Sequence, residues 1–362
     1  MRGWVDPAFW RGRSVLVTGH TGFKGAWTTL WLASLGARVT GLSLGVPTEP
    51  SLFGLARVGE GMDSGAGDIR DPQALTSAIS KAGPEIVIHM AAQPLVRRSF
   101  TQPRETLETN VMGTVNVLDA VRHSDGVRAV VVVTSDKCYE NREHERPYRE
   151  EDPMGGHDPY SASKGAAELV TSAYRRSFFS EPDSPRVASA RAGNVIGGGD
   201  WGEDRLVPDI MRAAFAGETL HVRNPNAVRP WQHVLCPLSG YLVLAQALCE
   251  SPDYATAWNF GPDEEDARTV GWIVERIAQL WPGGVQWTQD EGPHPHEAHQ
   301  LRLDSSRARD LLGWRPVMGL EEGVAATVEW YRALREGEDM RAVTLGQIEA
   351  HVAGLGDPAN PE

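Results

Sequence analysis

Short, wholly apolar runs alternate with longer amphipathic stretches through the first half of the chain. Ser14–Thr18 (SVLVT) is apolar without alternation and stops at Gly19, the pattern of a parallel strand covered on both faces. Residues 23–35 follow with apolar positions at helical spacing and end at Gly36, a natural residue for the turn after a helix. A second strand is predicted over 38–44, and Asp71-Pro72 opens a helix with an N-cap and a Pro at the first helical position. Residues 85–89 (EIVIH) predict another buried strand and 104–122 a long helix. The run 129–134 (AVVVVT) is the most β-branched of the chain and suits a central strand. A helix over 160–179 precedes a strand over 186–191. Strands and helices alternating at this spacing predict an α/β fold, a Rossmann-type doubly wound parallel sheet.

After Arg191 the pattern changes to loops rich in Gly, Pro, Asn and Trp, with shorter helices at 208–216, 238–250, 270–280 and 322–335. This predicts a domain over 1–190 and a smaller, loop-rich substrate domain over 191–362, some of whose segments can return to the sheet. The closing GLGDPANPE is expected to be a frayed tail. Tryptophan follows the same division: of 12, four precede residue 32, none lies between Trp31 and Trp201, and eight run from Trp201 to Trp330. With 362 residues and 41% hydrophobic, the chain can bury a core without staples. Its 35 basic and 48 acidic side chains give −13, which argues against a nucleic-acid partner. No apolar run approaches a membrane span, and the first residues lack a signal-peptide h-region, so no secretory leader is expected. Cys138, Cys236 and Cys249 are an odd number without metal spacing, so a cytoplasmic, reducing location is expected.

Gly19-His20-Thr21-Gly22-Phe23-Lys24-Gly25 sits between the first strand and its helix. There the first Gly permits the tight turn, the second lets backbone approach a diphosphate, and the third lets helix pack on strand. The helix N-terminus then faces the anion, which predicts a dinucleotide cofactor. The second strand ends Gly41-Leu42-Ser43-Leu44 with neither a carboxylate nor an Arg, leaving NAD against NADP open. Asp68, beside Ile69, is placed to hold the adenine amino group, or else is a turn carboxylate.

Tyr160-Ser161-Ala162-Ser163-Lys164 is Y-x-x-x-K, which on a helix puts phenol and ammonium on one face. The Lys charge is expected to lower the phenol toward neutrality, as hydride removal from an alcohol carbon requires. Ser135, 25 residues earlier at the end of the β-branched strand, completes a Ser/Tyr/Lys triad.

Longer phrases narrow this. They are Thr18-Gly-His-Thr-Gly-Phe-Lys-Gly25, His89-Met-Ala-Ala-Gln-Pro-Leu-Val-Arg97, Thr109-Asn-Val-Met-Gly-Thr114, Thr134-Ser-Asp-Lys-Cys-Tyr139, Ala190-Arg-Ala-Gly-Asn-Val-Ile-Gly-Gly-Gly-Asp-Trp201 and Arg229-Pro-Trp-Gln-His-Val234. Together they resemble the extended short-chain dehydrogenase/reductases, and within them the nucleotide-sugar 4,6-dehydratases that act on CDP-glucose. The likeness runs from about Phe9 to Tyr331. It implies NAD as cofactor and a closed redox cycle: hydride leaves sugar C4, water is lost across C5–C6, and the same hydride returns to C6. Tyr160 is then the base at the C4 hydroxyl, Ser135 its partner, Lys164 the electrostatic anchor and Asp136 the acid at the C6 hydroxyl. Related dTDP-glucose dehydratases carry Glu after the Asp as C5 base; Lys137 stands there and takes that role if its environment lowers its pKa, or else has a structural or phosphate-binding role.

The resemblance also implies cofactor contacts at Gly19, Thr21, Gly22, Phe23, Lys24, Gly25, Asp68, Ile69, Ala91, Ala92, Gln93, Asn110, Tyr160 and Lys164. A sugar nucleotide brings negative charge into an acidic protein, so local cations are needed. Arg97, Arg191, Asn194 and Arg229 are expected at the sugar and diphosphate, and Asp200, Trp201, Arg205, Leu206 and Trp231 about the base and ribose. His233 suits a core role better than a catalytic one. His294, His296 and Glu297 lack a further ligand, so no metal is expected. A homodimer or homotetramer through helices 104–122 and 160–179 is the superfamily's habit. The rivals are another nucleotide-sugar dehydratase, a 4-epimerase or 4-reductase, none of the last two needing Asp136-Lys137, and an NAD-sensing regulator, which would not need Tyr160 and Lys164.

Overall fold

The computed structural model describes residues 3–144, 146–290, 292 and 301–355. The strands are β1 (Ser14–Thr18), β2 (Arg38–Ser43), β3 (Asp63–Ala66), β4 (Ile86–His89), β5 (Ala129–Val133), β6 (Arg186–Ala192), β7 (Asn194–Ile196), β8 (Leu220–Val222), β9 (Val228–His233), β10 (Ala257–Phe260), β11 (Ala267–Thr269) and β12 (Trp287–Gln289). Seven of them form one parallel sheet in the order β10-β6-β5-β4-β1-β2-β3. Successive strand residues point to opposite faces. Val15, Val17, Ile86, Ile88, Val131 and Val133 enter one core. Leu16, Val87, Val130 and Val132 enter the other. Both faces are covered, which is why the strands are apolar without alternation.

Local signals set the flanking helices. Asp71 caps Pro72–Ala82 through Gln73 N, and Gly83 ends that helix in the left-handed region at φ 51. The single helix expected over 104–122 is broken in kind. Pro103–Leu107 passes into a π turn over Glu108–Met112 and then into the α-helix Gly113–Arg122. That extra residue per turn is where Asn110 points inward, buried to 2%.

Segments beyond residue 191 complete the sheet. β10 pairs with β6 in parallel, and the helix Leu235–Glu250, buried nearly all round, lies against β5 and β6. The Gly197–Gly199 run links the two halves. Trp27 Nε1 donates to Gly198 O at 3.0 Å, and a Cβ on Gly198 would lie 2.0 Å from the Trp330 ring. Trp10, Trp27, Trp31, Trp258, Trp314 and Trp330 are all fully buried packing residues. Residues from 356 on, which include most of the expected frayed tail, and His294, His296 and Glu297 lie outside the described residues. Among the described residues no helix is long and apolar enough to cross a membrane.

Three buried imidazoles make stability depend on pH. Burial pushes His89 and His233 down to about 3 and His351 down to about 4 from an ordinary 6.5. Unfolded imidazoles take protons below that ordinary value while the folded ones stay neutral. Their contribution is therefore complete above pH 6.5 and is lost as pH falls toward the folded values. Each group costs about 1.4 kcal/mol per pH unit through that window. Urea unfolding near pH 7 and pH 5 is expected to show a lower midpoint at the acid end. His351→Phe removes an imidazole whose nitrogens have no partner and should make that dependence shallower; an unchanged slope would contradict this account.

Candidate active site

The carboxyl edge of the sheet and the segments around 193–209 and 220–231 enclose a cleft of about 1260 Å3. On one side lies the phosphate cradle. The helix Phe23–Ser34 starts at Gly22, whose backbone caps it without a side chain, so its first N–H groups face the cleft. A Cβ on Gly25 would fall 2.0 Å from Gly19 O, whereas one on Gly22 would meet only Gly19 O at 3.4 Å. Helix and strand thus close tightly below while space stays open above Gly22, which suits a diphosphate. Thr21 Oγ1 donates to Gly45 O at 2.6 Å and fixes the turn against the end of β2. Where β2 lacks a carboxylate, Ser43 Oγ is held by His20 Nδ1 at 2.9 Å, and His20 Nε2 meets Ser64 Oγ at 2.7 Å.

Asp68 and Ile69 line the same cleft, as do Ala91, Ala92 and Gln93. The Arg70 guanidinium, 2.6 Å from Asp68 Oδ2, holds that carboxyl below its ordinary range. Asn110 does not line the cleft, so the direct cofactor contact is not met, whereas the positioning role that the resemblance also implies for it fits its contacts. It is a brace: its Oδ1 accepts from Gln93 N at 2.8 Å, and its Nδ2 donates to Gln93 O at 3.0 Å and Ser163 Oγ at 2.8 Å. It thereby ties the β4 loop to the helix Pro159–Ser177. Thr114 Oγ1 donates to Asn110 O at 2.7 Å, leaving its lone pairs for His89 Nε2 at 3.2 Å; His89 Nδ1 then accepts from Thr18 Oγ1 at 2.7 Å. This neutral imidazole fixes the floor between β1 and β4.

The triad is assembled by two helix starts. Asp158 caps Pro159–Ser177 by accepting from Ser161 N at 2.9 Å and Ser161 Oγ at 2.6 Å, which puts Tyr160 in the first turn. Ser135 caps the short turn Asp136–Cys138, accepting from Lys137 N at 3.2 Å. Its hydroxyl donates to Asp136 Oδ1 at 2.9 Å and stands beside the Tyr160 phenol, whose pKa it pulls down. Lys164 Nζ lies 6.0 Å from the centre of the Tyr160 ring. Burial pushes Tyr160 up to about 12, against the pull of Ser135, and pushes Lys164 down to about 8. The expectation that Lys164 brings the phenol toward neutrality is thus not met by the protein groups alone, because desolvation outweighs them.

Asp136 is 1% exposed, and its Oδ2 has no hydrogen-bond partner. Burial raises its pKa, with Lys137, Ser135, Arg229 and Lys24 pulling the other way. A carboxyl so placed keeps a proton further toward neutrality than a surface Asp does. Lys137 is half-buried and lines the cleft. Lys24, near Asp136, Asp200, Arg205 and Lys164, is brought down to about 8, mainly by burial.

Asn194 and Trp231, from phrases 37 residues apart, are register partners on β7 and β9. Both line the cleft with Arg97, Asp200, Trp201, Arg205, Leu206 and Arg229. Arg205 pairs with Asp200 at 3.0 Å, and Arg97 with Asp204 at 2.9 Å. Trp201 packs edge-on to Tyr331, whereas the Trp231 indole donates to Arg268 O at 2.9 Å. Arg191 is a correction. It lies outside the cleft, 3% exposed, and is spent on Glu168 at 2.7 Å, the Tyr139 hydroxyl at 2.7 Å and Glu150 O at 3.2 Å. A strand residue one position too early points into the core rather than over the edge.

Sequence reasoning passed over Asp204, the 220–224 stretch, His157 and Glu168. Of these, only Glu168 carried a readable signal, four residues after Lys164 on the same helical face.

The family model described as the NAD dependent epimerase/dehydratase family matches residues 15–253. The CDP-glucose 4,6-dehydratase of Salmonella typhimurium is 52% identical over 354 residues, 96% of this chain and 99% of that protein. A dTDP-glucose 4,6-dehydratase of Xanthomonas campestris is 29% identical over 87% of this chain and 92% of its own length. Among solved structures, the Thermus thermophilus UDP-glucose 4-epimerase complex with NAD superposes with a TM-score of 0.76 at 26% identity, covering 88% of this chain and 98% of that one.

Proposed function

The chain belongs to the NAD dependent epimerase/dehydratase family, and we propose that within it the protein is a CDP-glucose 4,6-dehydratase. The observation that carries this is Asp136, buried, with its pKa raised and one oxygen unpartnered, beside Ser135 and ahead of Lys137. Epimerisation or reduction at C4 needs no such acid, whereas elimination across C5–C6 does. The likeness to the Salmonella typhimurium protein supports CDP-glucose as the substrate.

Gly19, Gly22 and Gly25 would hold NAD, which would supply a reversible hydride acceptor, so that no cofactor would be consumed in the net reaction. Tyr160, ionised beside the Lys164 charge and with Ser135 next to it, takes the proton of the C4 hydroxyl and becomes the neutral phenol. The ketone left at C4 acidifies the C5 hydrogen, which Lys137 removes. Asp136 gives its proton to the C6 hydroxyl, the C6–O bond breaks and water departs. Lys137 returns its proton to C5 as C6 is reduced. One proton then remains on Tyr160 and one is missing from Asp136; Ser135, which donates to Asp136 and stands beside the phenol, is placed to pass it across.

Thr21, Phe23 and Lys24 complete the cradle, with Asp68, Ile69, Ala91, Ala92 and Gln93 about the rest of the cofactor. Arg97, Asn194 and Arg229 serve the sugar and diphosphate; Asp200, Trp201, Arg205, Leu206 and Trp231 serve the nucleoside. Residues 1–190 are the cofactor unit and 191–362 mainly the substrate unit, with β10 and Leu235–Glu250 returning to the sheet. Exposed Leu107, Met112 and Leu169 on the two long helices favour a homodimer or homotetramer through that face, and three thiols without a disulfide fit the cytoplasm.

Purified protein given CDP-, dTDP- and GDP-glucose should turn over the first about tenfold or more faster in kcat/KM, read from the alkaline ultraviolet band of the 4-keto-6-deoxy product. Preference for another base would overturn the choice of nucleotide alone; no such product from any of them would overturn the dehydratase.

A further inference from the structure

Tyr160, Lys164 and Glu168 follow one another at i, i+4 and i+8 on the helix Pro159–Ser177 and so share a face. The first two meet the cleft. Glu168 lies one turn deeper, 4% exposed, and its carboxylate is engaged by three groups on two neighbouring strand segments. Thr134 Oγ1, from the residue just before Ser135, donates to Glu168 Oε1. Ser189 Oγ on β6 donates to Oε2 at 2.6 Å, and the Arg191 guanidinium donates to the same oxygen at 2.7 Å. Arg191 in turn holds the Tyr139 hydroxyl, which donates to Asn259 Oδ1 at 2.7 Å. The carboxylate thus pins the catalytic helix to the segment that leads from β5 into Ser135 and to β6 beside it.

We propose that Glu168 is a positioning residue of the proposed reaction, which keeps the Lys164 ammonium charged and sets the height of Tyr160 against Ser135. This rests on the reading of Tyr160 and Lys164 as the hydride-transfer pair. Two independent lines carry it. The geometry makes Glu168 the link through which helix and strand are held in register. The electrostatics then follow. Although burial opposes it, Arg191 and the three hydrogen bonds hold Glu168 ionised below its ordinary range. Burial works to strip Lys164 of its proton, and Glu168 is the main group opposing that. From other elements Lys164 faces Cys138 after β5, His89 on β4 and Lys24 on the cradle helix. The thiol is pushed up by burial and the imidazole down, so both are neutral near pH 7. Lys24 has the same sign as Lys164 and works against its charge.

The test is the pH profile of kcat with CDP-glucose. Loss of the Lys164 charge sets its alkaline limb, so Lys164→Arg, whose charge does not titrate there, should abolish that limb in its residual activity. Persistence of the limb would overturn the reading of Lys164 itself, and this proposal with it. Glu168→Gln should move the limb to lower pH by about one unit or more, lower kcat more than KM changes, and spare CDP-glucose binding. Glu168→Asp, which keeps the charge, should restore the limb. Because Glu168→Gln leaves Arg191 buried and unpaired, it can fail to fold. Glu168→Gln with Arg191→Met removes the pair together, and Arg191 is not among the groups acting on Lys164, so the same acidward shift is expected. A folded variant of either kind with the limb where the unaltered protein has it, while Lys164→Arg abolishes it, would overturn the role of Glu168 alone.

Discussion

Replacing Tyr160 by Phe is expected to lower kcat by about 10³-fold, within the usual range for loss of one general acid–base group. The ring stays, so packing is kept; only the hydroxyl that meets Ser135 is lost. Burial holds that phenol up at about 12, so little of the phenolate that removes the proton is present near neutrality. The loss should therefore fall on the first proton removal. KM for CDP-glucose should change roughly two-fold at most, since the hydroxyl adds little to ground-state binding. With substrate deuterated at C4, the variant should show a full primary isotope effect, because oxidation becomes rate-limiting. A fall of less than tenfold in the rate of 4-keto-6-deoxy product would remove Tyr160 from the chemistry.

Asp136→Asn should stop the reaction one stage later. The amide fits the same space but carries no proton acidic enough to release water, so kcat should drop by about 10²–10³-fold. Tyr160, Ser135 and Lys164 remain, so C4 should still be oxidised. A 4-keto hexose that keeps its C6 hydroxyl should accumulate, and in heavy water its C5 hydrogen should exchange. Lys137→Ala beside it should give the complementary result, the 4-keto hexose without C5 exchange. Exchange unchanged in Lys137→Ala would rule out Lys137 as the base. Rapid formation of the 6-deoxy product by Asp136→Asn would rule out Asp136 as the acid.

The parts of the site that were legible are those where chemistry demands a residue type at a fixed local spacing. The glycines of the cradle, the Tyr160–Lys164 pair and the Ser135-Asp136-Lys137 run each lie within one turn of a helix or loop, and the structure lines them along one cleft. The misplacements have a common cause. Arg191 and Asn194 read as one phrase, yet β6 ends at Ala192 and β7 begins at Asn194. Arg191 therefore faces Glu168 in the core, and Asn194 faces the cleft. Asn110 read both as a positioning residue and as a cofactor contact, and only the first fits. It is inside a π turn, and no local pattern announces that turn. The phenol is a third case. Helical spacing places the ammonium near it, but burial, a property of everything packed around the pair, holds Tyr160 high.

By itself the sequence determined the doubly wound sheet and placed the short motifs at its carboxyl edge, because strand and helix periodicity and short motifs depend on near neighbours along the chain. The uneven tryptophans belong there too: the strands from β2 to β6 pack mainly Val, Ile, Leu and Ala, and the indoles that cover one face of the sheet come from before and after that span. Tertiary structure alone decided which charges are spent on each other. The Arg191–Glu168 and Arg97–Asp204 pairs, and the lone oxygen of Asp136, arise between groups distant in sequence. Their energies are set by the water that folding removes, and no local pattern records that.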